Sequence, residues 1–366
     1  MAGPPDGPPM TEEEVRKRVT LADVAQAAGV SAAAVSLAVR GEPGVSRETR
    51  ARVVETARRL GYHGVSRAGG RRSRKLTIGL IIKAPVGDAP EVNRFYAPVM
   101  TGIEEICRIR EVDLLFAAMP VDDEYYPIEV PRLVTERSCD GLIVVGAHLS
   151  RGTATLLEDG PAAILVDAYT EDLAFDSVVS DNVGGARAAV DHLIEHGHRE
   201  IALVGSRPDS FPSILQRRLG YQQAMNEAEL KPHFVDASHT SPEAAAAAGV
   251  EYIAAHPTVS AAFCCNDDVA IGLIEAAQRA GIDVPGALSV VGYDDIDPAR
   301  FVSPRLTTMA VDKLGMGRLA VTLLLHRLEF AEAAISQTFI RPHLVERGSV
   351  RTIRSAAPKP TEAARS

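Results

Sequence analysis

Apolar positions recur every three to four residues through 19–62, "VTLADVAQAAGVSAAAVSLAVRGEPGVSRETRARVVETARRLGY", and that period predicts helices rather than strands. Thr20 stands where it would cap a helix from Leu21, with Asp23 as the return partner of a capping box. Leu21, Val24, Ala25 and Ala28 share one face, and Gly29 ends it. Ser31 would cap a second helix with Val35 and Val39 on one side. Ser46 would cap a third, carrying Val53, Val54, Ala57 and Leu60 and closed by Gly61. Three helices sharing an apolar face predict a small all-α bundle of about fifty residues, feasible without metal or disulfide.

Beyond the bundle the texture changes. Residues 1–18, rich in Pro, Gly and charge, predict a disordered extension, and "HGVSRAGGRRSRK" (63–75) predicts a basic linker. From 76 to 347, short apolar runs such as "LTIGLII", "DGLIVVGA", "AAILVDA", "EIALVGS" and "LSVVGYDD" alternate with helical stretches such as "GGARAAVDHLIEHG". Repeated βα units predict parallel sheets covered by helices on both faces. That length suits two lobes better than one open sheet. Residues 348–366 predict a disordered tail.

Composition adds limits. With 46% hydrophobic and 24% charged residues the chain is typical of soluble globular proteins. No apolar run approaches a bilayer span and no hydrophobic signal core opens the chain, so a cytoplasmic protein is expected. Four cysteines without a CxxC pair predict reduced thiols, neither a disulfide framework nor a zinc site. Charge is uneven: residues 16–75 hold 14 Lys/Arg against 4 Asp/Glu, so with −9 overall the remainder carries −19. A basic module on an acidic body points to a polyanion meeting the module alone, although a solvated charged surface is the plainer account.

Two helices joined through a Gly-containing turn, with Ser at the second N-cap, fit a helix-turn-helix whose second helix enters the major groove. In the body, polar residues stand at strand ends, where ligands of open α/β sheets gather: Asp167, Asn266, Asp267 and Asp294, with Arg217 opening the helix "RRLGYQQAM". Carboxylate, amide and guanidinium together bind neighbouring hydroxyls, the chemistry a sugar or polyol needs. The plainer role of such aspartates is helix capping, expected above all for Asp267.

These stretches, with "SVVSDNVGGARAAVDHLIEHGHREIALVGS", "NDDVAIG" and "SPRLTTM", resemble the LacI/GalR family of bacterial transcriptional repressors over about residues 19–347. The resemblance implies a helix-turn-helix headpiece followed by a periplasmic-binding-protein-like, two-lobed, effector-binding and dimerising α/β domain. It places base readout at Ala32, Ala33 and Leu37; phosphate contacts are then expected from Thr20, Ser31, Ser36, Arg40 and Ser46. It places the effector site at Phe95, Tyr96, Asp167, Arg217, His239, Asn266 and Asp294. Ala32, Ala33 and Leu37 carry no hydrogen-bonding side chains, so thymine methyls and DNA shape are the expected readout; Leu37 as a bundle core residue is the rival account. Phe95 and Tyr96 are open to the same reading.

The linker departs from the family. Gly64 and Val65 occupy the Pro-Asn positions, and Arg71 stands where relatives place a Leu wedge. Arg67 and Arg71, with Arg72 and Arg74, are then expected at phosphates or a narrow minor groove, unless the segment is a plain basic tether. The expected partners are a near-palindromic double-stranded operator, a second copy of the chain and a small effector, with no membrane, cofactor or metal. An enzyme is the class-level rival, but no GxSxG, GxxxxGK[ST] or GxGxxG motif supports it. A free two-lobed binding protein with only non-specific DNA anchoring is the other.

Overall fold

The computed structural model describes residues 19–40, 44–60, 75–85, 94–171, 175–239 and 241–353. The expectations for residues 1–18, for the tail beyond 353 and for Arg67, Arg71, Arg72 and Arg74 fall outside the described residues, as does the side chain of Arg40. The chain divides into two units, residues 1–74 and 75–366.

The first unit holds helices α1 (Leu21–Ala28), α2 (Ala32–Arg40) and α3 (Arg47–Arg59). Thr20 and Asp23 form the full capping box: Thr20 N–H donates to Asp23 Oδ2 at 2.7 Å and Asp23 N–H to Thr20 Oγ1 at 3.4 Å. Gly29, at φ +65°, provides the left-handed cap that lets the chain turn. The axes of α1 and the described start of α2 then differ by 98°, within the range of a helix-turn-helix. Val24, Ala28, Val35, Ala38, Val53 and Ala57 make the core. Val54, expected there, is 50% exposed, because it stands one residue, about 100° of helix, beyond Val53.

The second unit builds β1 (Thr77–Pro85), α4 (Tyr96–Ile109), β2 (Asp113–Val121), α5 (Arg132–Thr135), β3 (Gly141–Val145), β4 (His148–Leu149), α6 (Arg151–Glu158), β5 (Ala162–Val166), β6 (Tyr169–Thr170) and β7 (Asp176–Ser180). It then adds α7 (Asn182–Glu195), β8 (Ile201–Val204), α8 (Pro212–Glu227), β9 (His233–Val235), α9 (Pro242–Ala255), β10 (Ala261–Cys264), α10 (Asp267–Arg279), β11 (Ser289–Asp294) and β12 (Thr307–Ala310). Helix α11 (Lys313–Glu329), β13 (Gln337–Ile340) and β14 (His343–Val345) complete it.

Two six-stranded sheets result, ordered β13-β7-β5-β3-β1-β2 and β14-β12-β11-β10-β8-β9. The first is parallel throughout, and the second is parallel except for β14. They are the two lobes expected from the βα alternation. Helix α11 packs on α4, so the chain passes between lobes at β7–α7, at β12–α11 and at β13–β14. The fully buried strand β3 explains the unbroken apolar run "GLIVV" in the sequence.

Residues 348–353, expected in the tail, belong to the second lobe. Ser349 is buried, donates to Val290 O at 2.6 Å and accepts from Thr307 N–H at 2.8 Å, and Ile353 N–H donates to His196 O. These pairings satisfy buried backbone groups, which a pattern of side-chain polarity cannot reveal. No single helix among the described residues is long and apolar enough to cross a membrane.

Candidate DNA-reading helix and effector cleft

On α2, Ala32 and Ala33 are exposed in the first turn. Ser36 and Leu37 are half-buried, and Leu37 lies close to Gly44 and outside the core cluster. Ser31 Oγ accepts from Ala34 N–H at 3.1 Å as the N-cap of α2, which leaves its own proton for an outside acceptor. Thr20 and Ser46 instead direct their hydroxyl protons to Asp23 and Thr49. Arg50 reaches the Leu37 and Ala38 carbonyls at the C-terminal end of α2 and ties α3 to it.

In the body, the carboxyl ends of both sheets meet at a cavity of about 340 Å³. Phe95, Tyr96 and Asp167 line it from the first lobe, and Arg217, His239, Asn266 and Asp294 from the second. Tyr96, at the start of α4, donates to Asp167 Oδ2 at 2.7 Å, and Tyr169 donates to Oδ1 at 3.2 Å. Gly146, at φ +77°, makes room for that ring: a Cβ there would lie 2.7 Å from it. Burial pushes the Asp167 carboxyl up from its ordinary range, against the pull of the tyrosine hydrogen bonds and Lys83.

Arg217, 4% exposed on α8, is held from three sides. Its Nε donates to Asn182 Oδ1 at 3.0 Å, one Nη to Cys265 O at 2.6 Å and the other to Asp294 Oδ1 at 3.0 Å. The guanidinium lies 3.8 Å over the Tyr293 ring. Burial raises the Asp294 carboxyl to about 6 despite Arg217 and Lys313 beside it. Asp167 and Asp294 both adopt positive φ, +44° and +110°, strained for non-glycine residues and concentrated here at the cavity wall.

Asp267 does not cap α10. Asn266 does, its Oδ1 accepting from Val269 N–H at 2.9 Å from an extended backbone. Asp267 is instead wholly buried, accepting from Ile296 N–H and Thr308 Oγ1. Its side chain points into the second lobe, away from the first turn of the helix that a cap must serve.

Several lining groups escaped the sequence reading. Phe211 of the second lobe inserts edge-on between Tyr125 and Tyr169 of the first, at ring separations of 5.2 and 5.3 Å. Lys83, at the end of β1, sends Nζ to 3.4 Å from the Tyr125 ring centre, 4.7 Å from Phe211 and 5.2 Å from Tyr96. The strand-end rule that selected Asp167 would also have selected Lys83. Tyr125 and Phe211 carry no such signal, since they stand in loops. Burial drives Lys83 down to about 7, with Asp167 opposing, and holds His239 neutral at about 3, helped by Lys83 and Arg217. At the rim, Arg94 meets Asp268 across the lobes at 3.0 Å.

The Lys83 shift has a stability consequence. An amine depressed in the folded state is protonated more fully in the unfolded chain between about 7 and 10.5, so stability rises with pH through that window. Lys83→Met removes the cost of the buried charge. Its melting temperature should exceed that of the parent by about 3 °C or more at pH 6, and the gap should narrow as pH rises toward 10. Calorimetry at the two pH values decides; equal melting at pH 6 refutes it.

Residues 20–64 match the family described as bacterial regulatory proteins, lacI family, and residues 190–350 match a periplasmic binding protein-like domain. The ribose operon repressor of Haemophilus influenzae is 31% identical over 341 residues, covering 92% of this chain and 99% of that protein. The chain belongs to the lacI family. It is a DNA-binding transcription regulator with a ligand-binding body, and not an enzyme. A second family member, the HTH-type transcriptional repressor PurR of H. influenzae, is 30% identical over 91% of this chain and 99% of its own. Among solved lacI-like structures, the complex of the transcriptional regulator CelR with cellobiose matches 91% of this chain and 100% of that one, with 26% identity and a TM-score of 0.63.

Proposed function

We propose that this lacI-family protein is a cytoplasmic, homodimeric repressor whose hold on a near-palindromic operator is set by a small hydroxylated effector, a sugar or polyol, bound between the lobes. One observation carries the reading: Asp167 of one lobe and the Arg217–Asp294 pair of the other face a single cavity. A ligand bridging them favours one closure of the lobes over another. Whatever closure does to the headpieces then couples ligand and operator affinities reciprocally. The cellobiose complex and the ribose operon repressor named above support a sugar as the effector class.

The DNA side rests on α2. Ala32 and Ala33 in its first turn and Leu37 one turn later offer methyl and methylene groups, suited to thymine methyls rather than to base hydrogen bonds. Thr20, Ser31, Ser36, Arg40 and Ser46 would contact phosphates, Ser31 with its hydroxyl proton left over from capping; Arg67 and Arg71 of the linker add charge. The edge strand β2 leaves Leu115 and Phe116 exposed, the latter by 57%, and an exposed apolar edge suits pairing with a second copy. Sedimentation at micromolar concentration reads that dimer.

The test is selection of genomic fragments by the purified protein, repeated with a panel of sugars and across salt concentrations. A palindromic motif whose retention changes with one sugar is expected. Recovery of DNA without a motif, fading smoothly with salt, would leave only a non-specific anchor. On the selected site, Leu37→Ala should lose about three- to tenfold in affinity and discriminate less at one A·T position, the scale of about one or two buried methylenes. Unchanged binding to every half-site variant refutes the methyl readout.

A further inference from the structure

Hydrogen-bond accounting around the cleft sets one cation apart. Asp167 accepts from Tyr96 and Tyr169, Asp294 from Arg217, Asp268 from Arg94, and Asp122 from the backbone of Glu124 and Tyr126. Arg217 is matched to Asn182, Cys265 O and Asp294. Lys83 alone among the cations lining the cavity has no hydrogen-bond acceptor within the described residues, and its Nζ lies over the faces of Tyr125, Phe211 and Tyr96. Ring faces compensate an ammonium partially; they use none of its three N–H donors. Charged groups withdrawn from water are ordinarily paired, and the half-buried Lys83 lines the cavity.

We infer that the effector is an anionic sugar or polyol, whose carboxylate or phosphate docks on Lys83 while its hydroxyls meet Asp167, Arg217 and Asp294. The inference rests on the effector cleft proposed above and narrows its ligand. The lining carboxylates other than the exposed Asp123 already accept hydrogen bonds, so an anion gains most at the Lys83 end. His239, neutral in its buried setting, and the Ser213 hydroxyl line the same cavity and supply uncharged donors there. Rings from both lobes surround Nζ, which places the anion where closure of the lobes can sense it.

A second signature follows. Free Lys83 is only partly protonated near neutral pH, and an anion beside it restores the proton, so binding should take up a fraction of a proton at pH 7.5. The experiment is calorimetric titration of the full chain with three series: neutral aldoses, the matching uronates or aldonates, and the matching sugar phosphates. Each is run in two buffers of different ionisation heat. In at least one series the anion should bind tenfold or more tighter than its neutral parent, with proton uptake. The carboxylate and phosphate arms tell which group is taken.

Lys83→Met should lose at least tenfold for the anion, abolish the uptake and remain folded by melting temperature; Lys83→Arg should recover part of the affinity. A neutral sugar binding tighter than both anions, or an unchanged anion affinity in Lys83→Met, overturns the inference and leaves the sugar-responsive regulator standing. Absence of binding in all three series overturns both.

Discussion

Arg217→Ala is expected to abolish the effector response and to lower the melting temperature of the body by about 10 °C. Truncating one partner of a buried ion pair costs about 3–5 kcal/mol, and a unit of this size shifts by about 2–4 °C per kcal/mol. The change leaves Asn182 Oδ1, Cys265 O and Asp294 Oδ1 without the donor they share. Asp294, already raised to about 6 by burial, then loses its main stabilising charge and moves higher. A carboxyl raised in the folded state binds protons that the unfolded chain has released, so stability falls as pH rises through the window between the two values. In the variant that window extends further toward neutral pH. Acidifying from pH 8 to 6 should therefore return more stability to the variant than to the parent. Scanning calorimetry at both pH values and effector titration of an operator complex measure this; parent-like melting and release would show that the pair is dispensable.

The second large effect belongs to the first unit. Val53 is fully buried among Val24, Val35 and Ala57. Burying an unpaired carboxylate there costs several kcal/mol, and a bundle of some forty residues has only about 2–6 kcal/mol in total. Val53→Asp should therefore unfold the headpiece and cut operator affinity at least 100-fold, while effector binding and melting of the body stay as they are. Val54→Asp, one residue along and half exposed, should stay within about threefold. Fluorescence anisotropy on an operator fragment separates the two. Equal losses would mean that charge at α3, rather than folding, governs binding.

These contrasts mark where the sequence was readable. The capping box at Thr20 and Asp23 and the turn at Gly29 were legible because caps follow fixed local spacing. Asp167, Asn266 and Asp294 were legible because strand ends in open α/β sheets converge. Val54 was misassigned because helical periodicity tolerates either of two adjacent apolar residues until the neighbouring helices are placed. Asp267 was misread because its partners, Ile296 N–H and Thr308, lie 29 and 41 residues away. Lys83, Tyr125 and Phe211 come together only when the lobes meet, and nothing local records that meeting. The expected tail proved ordered through 353 because its bonds go to distant backbone.

The order of chain synthesis gives the three passages between lobes a further meaning. The three helices of the headpiece have all been made once Arg59 has been added. The first lobe, begun at Thr77, lacks α11 and β13 until Ile340 has emerged. Its sheet thus waits, with the β7 edge unpaired, for nearly the whole of the second lobe to be made. A nascent chain can consequently carry a folded DNA-reading bundle well before it has a finished pocket, and a truncation between the headpiece and α11 keeps the bundle's helices while leaving the first lobe's sheet unfinished.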